Sequence, residues 1–484
     1  MEKRGSAMDD QVTLDWAQQT FGSTRLGNCS RTKRLVYSAG RIAQHASKSL
    51  PQVFGWNDLR AFYGLCARRE MTLAAVQGPH WQQTRDRLSQ HKLVLVLHDT
   101  STIDFTHHMA LKNIGPVGDG NGRGFLQHNS LAMVPDPRQV LGLAYQQLKV
   151  RKPVPKKETT FQRRKRARES DLWLEGIGAI GQAPEGCCLV DVGDRGADIY
   201  DAMRLSRSLQ HHFLFRVYQD RVIHVGTADG PEEHLLAHGR GLLSMGHDIV
   251  EIPGRGGQAP RVPRTAVVAL AASEIWVPAP SGTPRRNSQP LIRAWLIRIW
   301  EEHPPAGVEG IEWLLLCSLP TQTLAAMKER RDWYSCRWLV ETYHDVEKNG
   351  CSLEKRRFES AESMGACLAV LAVVAVRVLS LRCALDHQPD APAEQVATPL
   401  EIEVVRRAVK QPTKTALGQP TPPSGVFTVR DFVRSVAKLG GFLGRKSDGE
   451  PGVRALWRGY ERLQDILVGY TVRHNAPDNG QKLW

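Results

Sequence analysis

Residues 92–103 read KLVLVLHDTSTI, and the fold turns on them. From Leu93 to Leu97 the chain is apolar without interruption, and it then reaches His98 and Asp99. A short continuous apolar run rich in β-branched residues suits a strand covered on both faces. The stretch predicts a sheet-centred α/β core with a carboxylate, Asp99, where the apolar run stops.

The segments around it repeat the pattern. HNSLAMVPD, 128–136, and QVLGLAYQQLKV, 139–150, predict two more strands joined by a proline-containing turn. GCCLVDVGDRGADIYDAM, 186–203, predicts another apolar strand, a turn at Asp194 and a helix start. Residues 205–312 are mainly β in character, with Gly and Pro breaks between HDIVEIPG, RTAVVALAASEIWVP and IRAWLIRIWE. IEWLLLCSLP, 311–320, is a further buried strand, followed by a helix over 321–347 and an apolar helix over 364–382. The first 70 residues are mostly helical. Residues 386–425 are Pro-rich and polar, predicting linkers around one short helix, and the chain ends in two helices separated by a Gly-rich turn. Three domains follow: 1–70, 71–385 with a β-rich insertion at about 205–312, and 386–484.

A chain of 484 residues can bury a core of this extent. Its 64 Lys and Arg exceed 50 Asp and Glu, a net charge of +14. Such an excess favours a polyanionic partner, nucleic acid above all. Two segments concentrate it. In RTKRLVYSAGRIAQHASKSL, 31–50, Arg31, Lys33, Arg34 and Arg41 share a predicted helix, which suits either a DNA contact or a solvated basic face. The run 149–168 has ten Lys or Arg and one acid, Glu158, and carries the same two readings. Nine cysteines without a CxxC pair exclude a zinc-ribbon reading and point to reduced thiols in the cytoplasm. The first residues, MEKRGSAMDD, contain no apolar signal segment. The longest uncharged run, MGACLAVLAVVAV at 364–376, is 13 residues, short of the ~20 a span requires, so no membrane partner is expected. GDGNGRG, 118–124, lacks the Lys-Ser/Thr ending of a phosphate-binding loop, and His107–His108 lacks partners at metal-ligand spacing.

Three carboxylates stand in similar surroundings: Asp99 and Asp194 after apolar strands, and Glu341 on the helix after WLLLCSLP. Brought together they would repel, and Mg2+ is the hard, oxygen-seeking cation that relieves this. Spacing alone does not separate Asp99 from Asp104, or Asp194 from Asp191, Asp198 and Asp201. In YSCRWLVETYHDVEK, 334–348, Tyr334, Arg337, Glu341 and Lys348 fall within about 60° of arc on one helix, with Leu339, Val340, Tyr343 and Val346 opposite. An ordinary surface helix is amphipathic too. An acid, an Arg and a Lys in one row also suit a metal ligand flanked by phosphate contacts.

At these residues the chain resembles bacterial cut-and-paste DDE transposases of the insertion-sequence-four family. Tyr334, Arg337, Glu341 and Lys348 match its helix signature. HDTST, 98–102, is similar to the segment of its first catalytic Asp, which selects Asp99. GDRGAD, 193–198, is similar to the second, which selects Asp194, although Gly196 replaces a Glu common there. DWA…LG…R..RLV near the N-terminus resembles an end-binding domain. LGGF, 439–442, and ALWRGYERLQ, 455–464, resemble a dimerisation region. The resemblance implies an RNase H-like core with a β-rich insertion, flanked by helical DNA-binding and dimerisation domains. It implies Asp99, Asp194 and Glu341 as catalytic ligands of two Mg2+ ions, with Mn2+ as a substitute. Nicking, hairpin formation and reopening, and strand transfer by a 3′-hydroxyl would follow. Its partners would be double-stranded DNA, as inverted transposon ends and target, and a second copy in a synaptic homodimer within the bacterial cytoplasm. Trp313 would stack on a displaced base, with Trp338 a second candidate. Tyr334, Arg337, Lys348, His344, Arg31 and Arg34 would contact DNA.

Overall fold

A computed structural model describes residues 7–475, apart from 153–156, 158, 160–167, 253–261, 282, 284–287, 410–425 and 446–447. The basic run 149–168 therefore falls largely outside the described residues.

Twelve strands make one sheet. They are β1 (Leu93–Asp104), β2 (Gly115–Val117), β3 (Gly122–Val134), β4 (Gln139–Lys149), β5 (Cys188–Gly193), β6 (His212–Arg216), β7 (Val222–Val225), β8 (Glu232–His234), β9 (Gly246–Ile252), β10 (Arg264–Val277), β11 (Ile292–Trp300) and β12 (Glu312–Cys317). The order is β2-β3-β1-β5-β6-β12-β11-β10-β7-β8, with β4 on the other side of β3 and β9 on β10. β1 is antiparallel to β3 and β3 to β4, whereas β1–β5 and β5–β6 are parallel.

The strands from β7 to β12 extend this sheet. The helix Tyr200–Ser208 and β6 form the crossover and the parallel partner of β5, so they belong with the core strands. The antiparallel meander begins after β6 and returns through β12, which pairs with β6.

The helices are α1 (Ala7–Phe21), α2 (Cys29–Gln44), α3 (Leu50–Val53), α4 (Trp56–Cys66), α5 (Leu73–Leu88), α6 (Asp171–Ile180), α7 (Tyr200–Ser208), α8 (Leu235–Gly241), α9 (Leu324–Ser335), α10 (Trp338–Asp345), α11 (Ala361–His387), α12 (Pro399–Ala408), α13 (Val429–Leu439) and α14 (Val453–Asn475). Side-chain caps begin several of them. Asn28 accepts from the Arg31 amide, and Thr398 and Thr428 form capping boxes with Glu401 and Asp431. α11 is long and apolar enough to cross a membrane, yet its residues from Ala366 to Val376 are buried against the sheet and α5. It runs on to His387, so one helix joins the sheet to the C-terminal helices.

The single helix expected over 321–347 is divided. Between α9 and α10 the backbone tightens: Cys336 N–H donates to Trp333 O, Arg337 to Tyr334 O, and Val340 to Arg337 O, all three residues back. After α10 the chain widens into a π-turn at Val346–Gly350. A tight turn followed by a wide one re-phases the helix while it stays packed on the sheet.

Candidate active site

The β1–β5 register builds the site first. Parallel pairing ends at His98 opposite Gly193, so Asp99 and Asp194 leave adjacent strands at the same level. Asp99 is not at a strand end as expected: β1 runs on to Asp104, now paired only with β3. Asp194 caps the short turn Arg195–Ala197 by accepting from Gly196 N–H at 2.7 Å. Above them α10 supplies Glu341. Arg337 Nη2 donates to Glu341 Oε1 at 2.6 Å, and Arg337 Nη1 lies 3.9 Å from Asp99 Oδ1.

The structure also separates the competing aspartates by environment. Asp191 is fully buried and accepts from Ser206 Oγ at 2.7 Å, with His98 at 3.1 Å and His211 at 3.0 Å. Burial would raise its carboxyl, yet the two imidazoles hold it below the usual carboxylate range. Asp198 is buried and receives the amides of Tyr218 and Gln219 and the Arg221 guanidinium. Asp201 pairs with Arg204 at the surface, and Asp104 accepts from Thr106. All four are engaged away from the cluster.

Asp99 behaves differently. Burial first, then the Asp194 carboxylate, push its carboxyl up to about 7; Arg337 opposes this and Glu341 adds to it. Negative charge in the cluster thus exceeds what Arg337 balances. Among the described residues no group of three His, Cys, Asp or Glu side chains is placed so that it could hold a metal ion. The donor set, all carboxylate oxygen with residual repulsion, fits a hard divalent cation.

Around this cluster, Lys348 Nζ donates to Ser101 Oγ at 2.6 Å, two residues beyond Asp99 on the same face of β1. Tyr334 is buried, and Trp313 at the start of β12 meets it edge-on with ring centroids 5.4 Å apart. Trp338 is 57% exposed, and Arg337 lies 5.5 Å from its ring centre. Helix and sheet thus bring Arg337 and Glu341 near Asp99 and Lys348 to Ser101, and set Tyr334 between Arg337 and Trp313.

Three of the expected DNA contacts have partners within the chain. His344 is buried, its Nε2 2.7 Å from Asn129 Nδ2 and its Nδ1 3.4 Å from Asp99 Oδ2; burial, then Lys348 and Arg337, push its imidazole down to about 3. Arg31 pairs with Glu70 at 2.9 Å and Arg34 with Asp58 at 2.5 Å, so both tie α2 to its own unit. Lys33, between them, is exposed.

Sequence reasoning missed Asn129, Gln146 and Trp173. Asn129 pairs with Asp99 across β1–β3, and with Gln146 across β3–β4. Four consecutive polar residues inside a strand, Gln127 to Ser130, of which Gln127 and Asn129 share a face, were the available signal. Trp173 of α6 covers the Asp194 turn: a Cβ on Gly196 would meet its ring at 2.8 Å and one on Gly193 at 2.9 Å. The Trp173 ring thus occupies the space that a side chain at 196 would enter.

Two comparisons with known families fall on opposite ends of this arrangement. Residues 13–71, spanning most of α1 through α4, match the transposase DNA-binding family. Residues 373–476, from within α11 through α14, match the Tn5 transposase dimerisation domain. The flanking units are thus an N-terminal DNA-binding domain and a C-terminal dimerisation domain around a mixed α/β centre, which supports a DNA-binding transposase. More particularly, they support a Tn5-like transposase with DNA and a second copy of the chain as partners.

Proposed function

We propose that the chain is a cut-and-paste DDE transposase of the insertion-sequence-four type, with an RNase H-like core formed by β4-β3-β1-β5-β6. The reading rests chiefly on one observation: the parallel β1–β5 register sets Asp99 beside Asp194, under the helix carrying Arg337 and Glu341. The strand order and directions of those five strands support the core assignment.

Asp99, Asp194 and Glu341 would hold two Mg2+ ions, or Mn2+. When bound, such ions activate an attacking oxygen and stabilise a leaving oxygen in phosphodiester chemistry. The chain's own residues do the rest. Arg337, linked to Glu341, and Lys348, held by Ser101, are placed to take phosphate oxygens beside the carboxylates. Because both side chains are already anchored, little ordering is lost when DNA arrives. Trp313 against Tyr334 offers a ring for a base displaced when an end folds into a hairpin. The reaction runs as a nick that frees a 3′-hydroxyl, attack of that hydroxyl on the opposite strand, hydrolytic reopening, and joining to target DNA.

The test is incubation with Mg2+ and labelled DNA carrying the element's ends. Nicks, hairpins and joined products are expected. Cleavage without hairpins or joining would make the chain a nuclease, and end binding without cleavage would make it a silent DNA-binding protein.

A further inference from the structure

A line of buried amides crosses the core on the face of the sheet that carries Asp99. It starts at Trp81 on α5, whose indole N–H can only donate. Trp81 Nε1 donates to Gln77 Oε1 at 3.1 Å. Gln77 Nε2 donates to Gln146 Oε1 at 2.7 Å, and also to Ala369 O on α11 at 3.0 Å. Gln146 Nε2 donates to Asn129 Oδ1 at 2.7 Å, where Gln127 Nε2 arrives as a second donor at 3.2 Å. Asn129 must therefore present Nδ2 to His344, at 2.7 Å from Nε2. Every member is at most 7% exposed, so water cannot reverse the order.

The direction decides a proton position. A neutral imidazole has one donor and one acceptor nitrogen. With Nε2 accepting from Asn129, the hydrogen sits on Nδ1, the nitrogen 3.4 Å from Asp99 Oδ2. Asp99 Oδ1 is the oxygen nearest Arg337. We propose that the chain Trp81–Gln77–Gln146–Asn129 fixes His344 as the Nδ1–H tautomer and makes it the positioning residue of Asp99, holding Oδ2 so that Oδ1 faces the cluster. The role of Asp99 rests on the transposase reading; the tautomer does not.

The relay couples distant elements. α5 follows the DNA-binding unit, and its Gln77 touches α11, within which the dimerisation match begins. The orientation of one carboxylate thus depends on the seating of α5 on β4 and α11.

The full chain labelled with 15N-histidine gives the first test. Ring-nitrogen spectra of the wild type, with His344 assigned by its loss in His344→Gln, are expected to show a neutral Nδ1–H ring. An Nε2–H ring overturns the proposal. Asn129→Asp places an acceptor opposite Nε2 and is expected to move the proton there. Nicking gives the second test. Asn at 344 sets an amide N–H near the Nδ1 position, whereas Gln mimics Nε2. His344→Asn is expected to nick at least about tenfold faster than His344→Gln, and Asn129→Asp to lose about 10–100-fold, with end binding unchanged in all three. Equal rates for the two His344 variants overturn the positioning role. If either variant fails to fold, the wild-type ring spectrum and Asn129→Asp still decide. Wild-type protein that shows the Nδ1–H ring but never nicks its ends counts against the transposase reading and leaves the relay standing.

Discussion

Glu347 lies one residue before Lys348 and faces the opposite fate. It is fully buried, and Gln127 Nε2 donates to both its oxygens, at 2.9 and 2.7 Å. Burial pushes its carboxyl up to about 7 against an ordinary value of 4.5. A raised carboxyl favours the protonated native state, so its contribution is complete below pH 4.5 and is lost as pH rises through 7. Glu347→Gln removes that loss and can donate to Gln127 Oε1, which has no partner among the described residues. Melting curves from pH 5 to 8 should show the variant gaining on wild type as pH rises, by on the order of 3 kcal/mol at the top. A constant difference across the range would refute the buried-carboxyl account. For Glu341→Gln, end binding should persist while nicking falls by more than about 100-fold, since losing a ligand exceeds losing a ligand's supporter. Sustained Mg2+-dependent nicking would remove Glu341 from its role. Trp313→Ala should let nicks accumulate with few hairpins on end DNA, and a normal hairpin yield would move base stacking elsewhere.

The elements carry their own tests. α13 and α14 touch backbone to backbone at two glycines. A Cβ on Gly459 would lie 1.7 Å from Val436 O, and one on Gly440 1.8 Å from Ala455 O. The two C-terminal segments that resemble a dimerisation region are therefore one helix crossing, and no side chain fits between its halves. Gly459→Ala should cost about 1–3 kcal/mol or more by prising the pair apart, seen as a lowered melting transition with intact end binding by the N-terminal unit. An unchanged transition would mean that the crossing does not hold the unit. On α2, the tethered Arg34 and the exposed Lys33 predict opposite results. Lys33→Ala should weaken end binding and reduce the salt slope by about 1, whereas Arg34→Ala should mainly change stability, by less than about 1 kcal/mol for a half-exposed pair. The reverse pattern would put Arg34 on the DNA.

At the scale of the whole molecule, α11 is the shared spine. It packs on α5 and β4 in the core, and its last turns join the C-terminal cluster around Phe432 and Leu463. A dimer formed through the C-terminal unit would link two carboxylate sites. With DNA bearing two ends, sedimentation should find two chains per cleaved complex, and mixing in Glu341→Gln protein should lower hairpin yield more than simple dilution does. Cleavage by a single chain would contradict the homodimer.

Much of this was legible in the linear chain. Continuous apolar runs read as covered strands because no other short element needs them, and β1, β5 and β12 lie where those runs are. Charge pointed to DNA, and spacing set Arg337, Glu341 and Lys348 in one row, although the chain carries them just before α10, on α10 and on the π-turn after it. Other features depended on contacts between distant segments. Periodicity could not divide the helix at Cys336, since tightening there answers to packing on the sheet. Nor could spacing tell Asp194 from Asp191 three residues earlier: one emerges past the last parallel pair, the other is enclosed by His98 and His211. Nor could it show the partners of Arg31, Arg34 and His344, because Glu70, Asp58 and Asn129 are remote in sequence. Residue type and period determined which groups the chain could bring to DNA. The register between β1 and β5, and the burial around it, decided which carboxylates face one another, because both are set by the strands' neighbours.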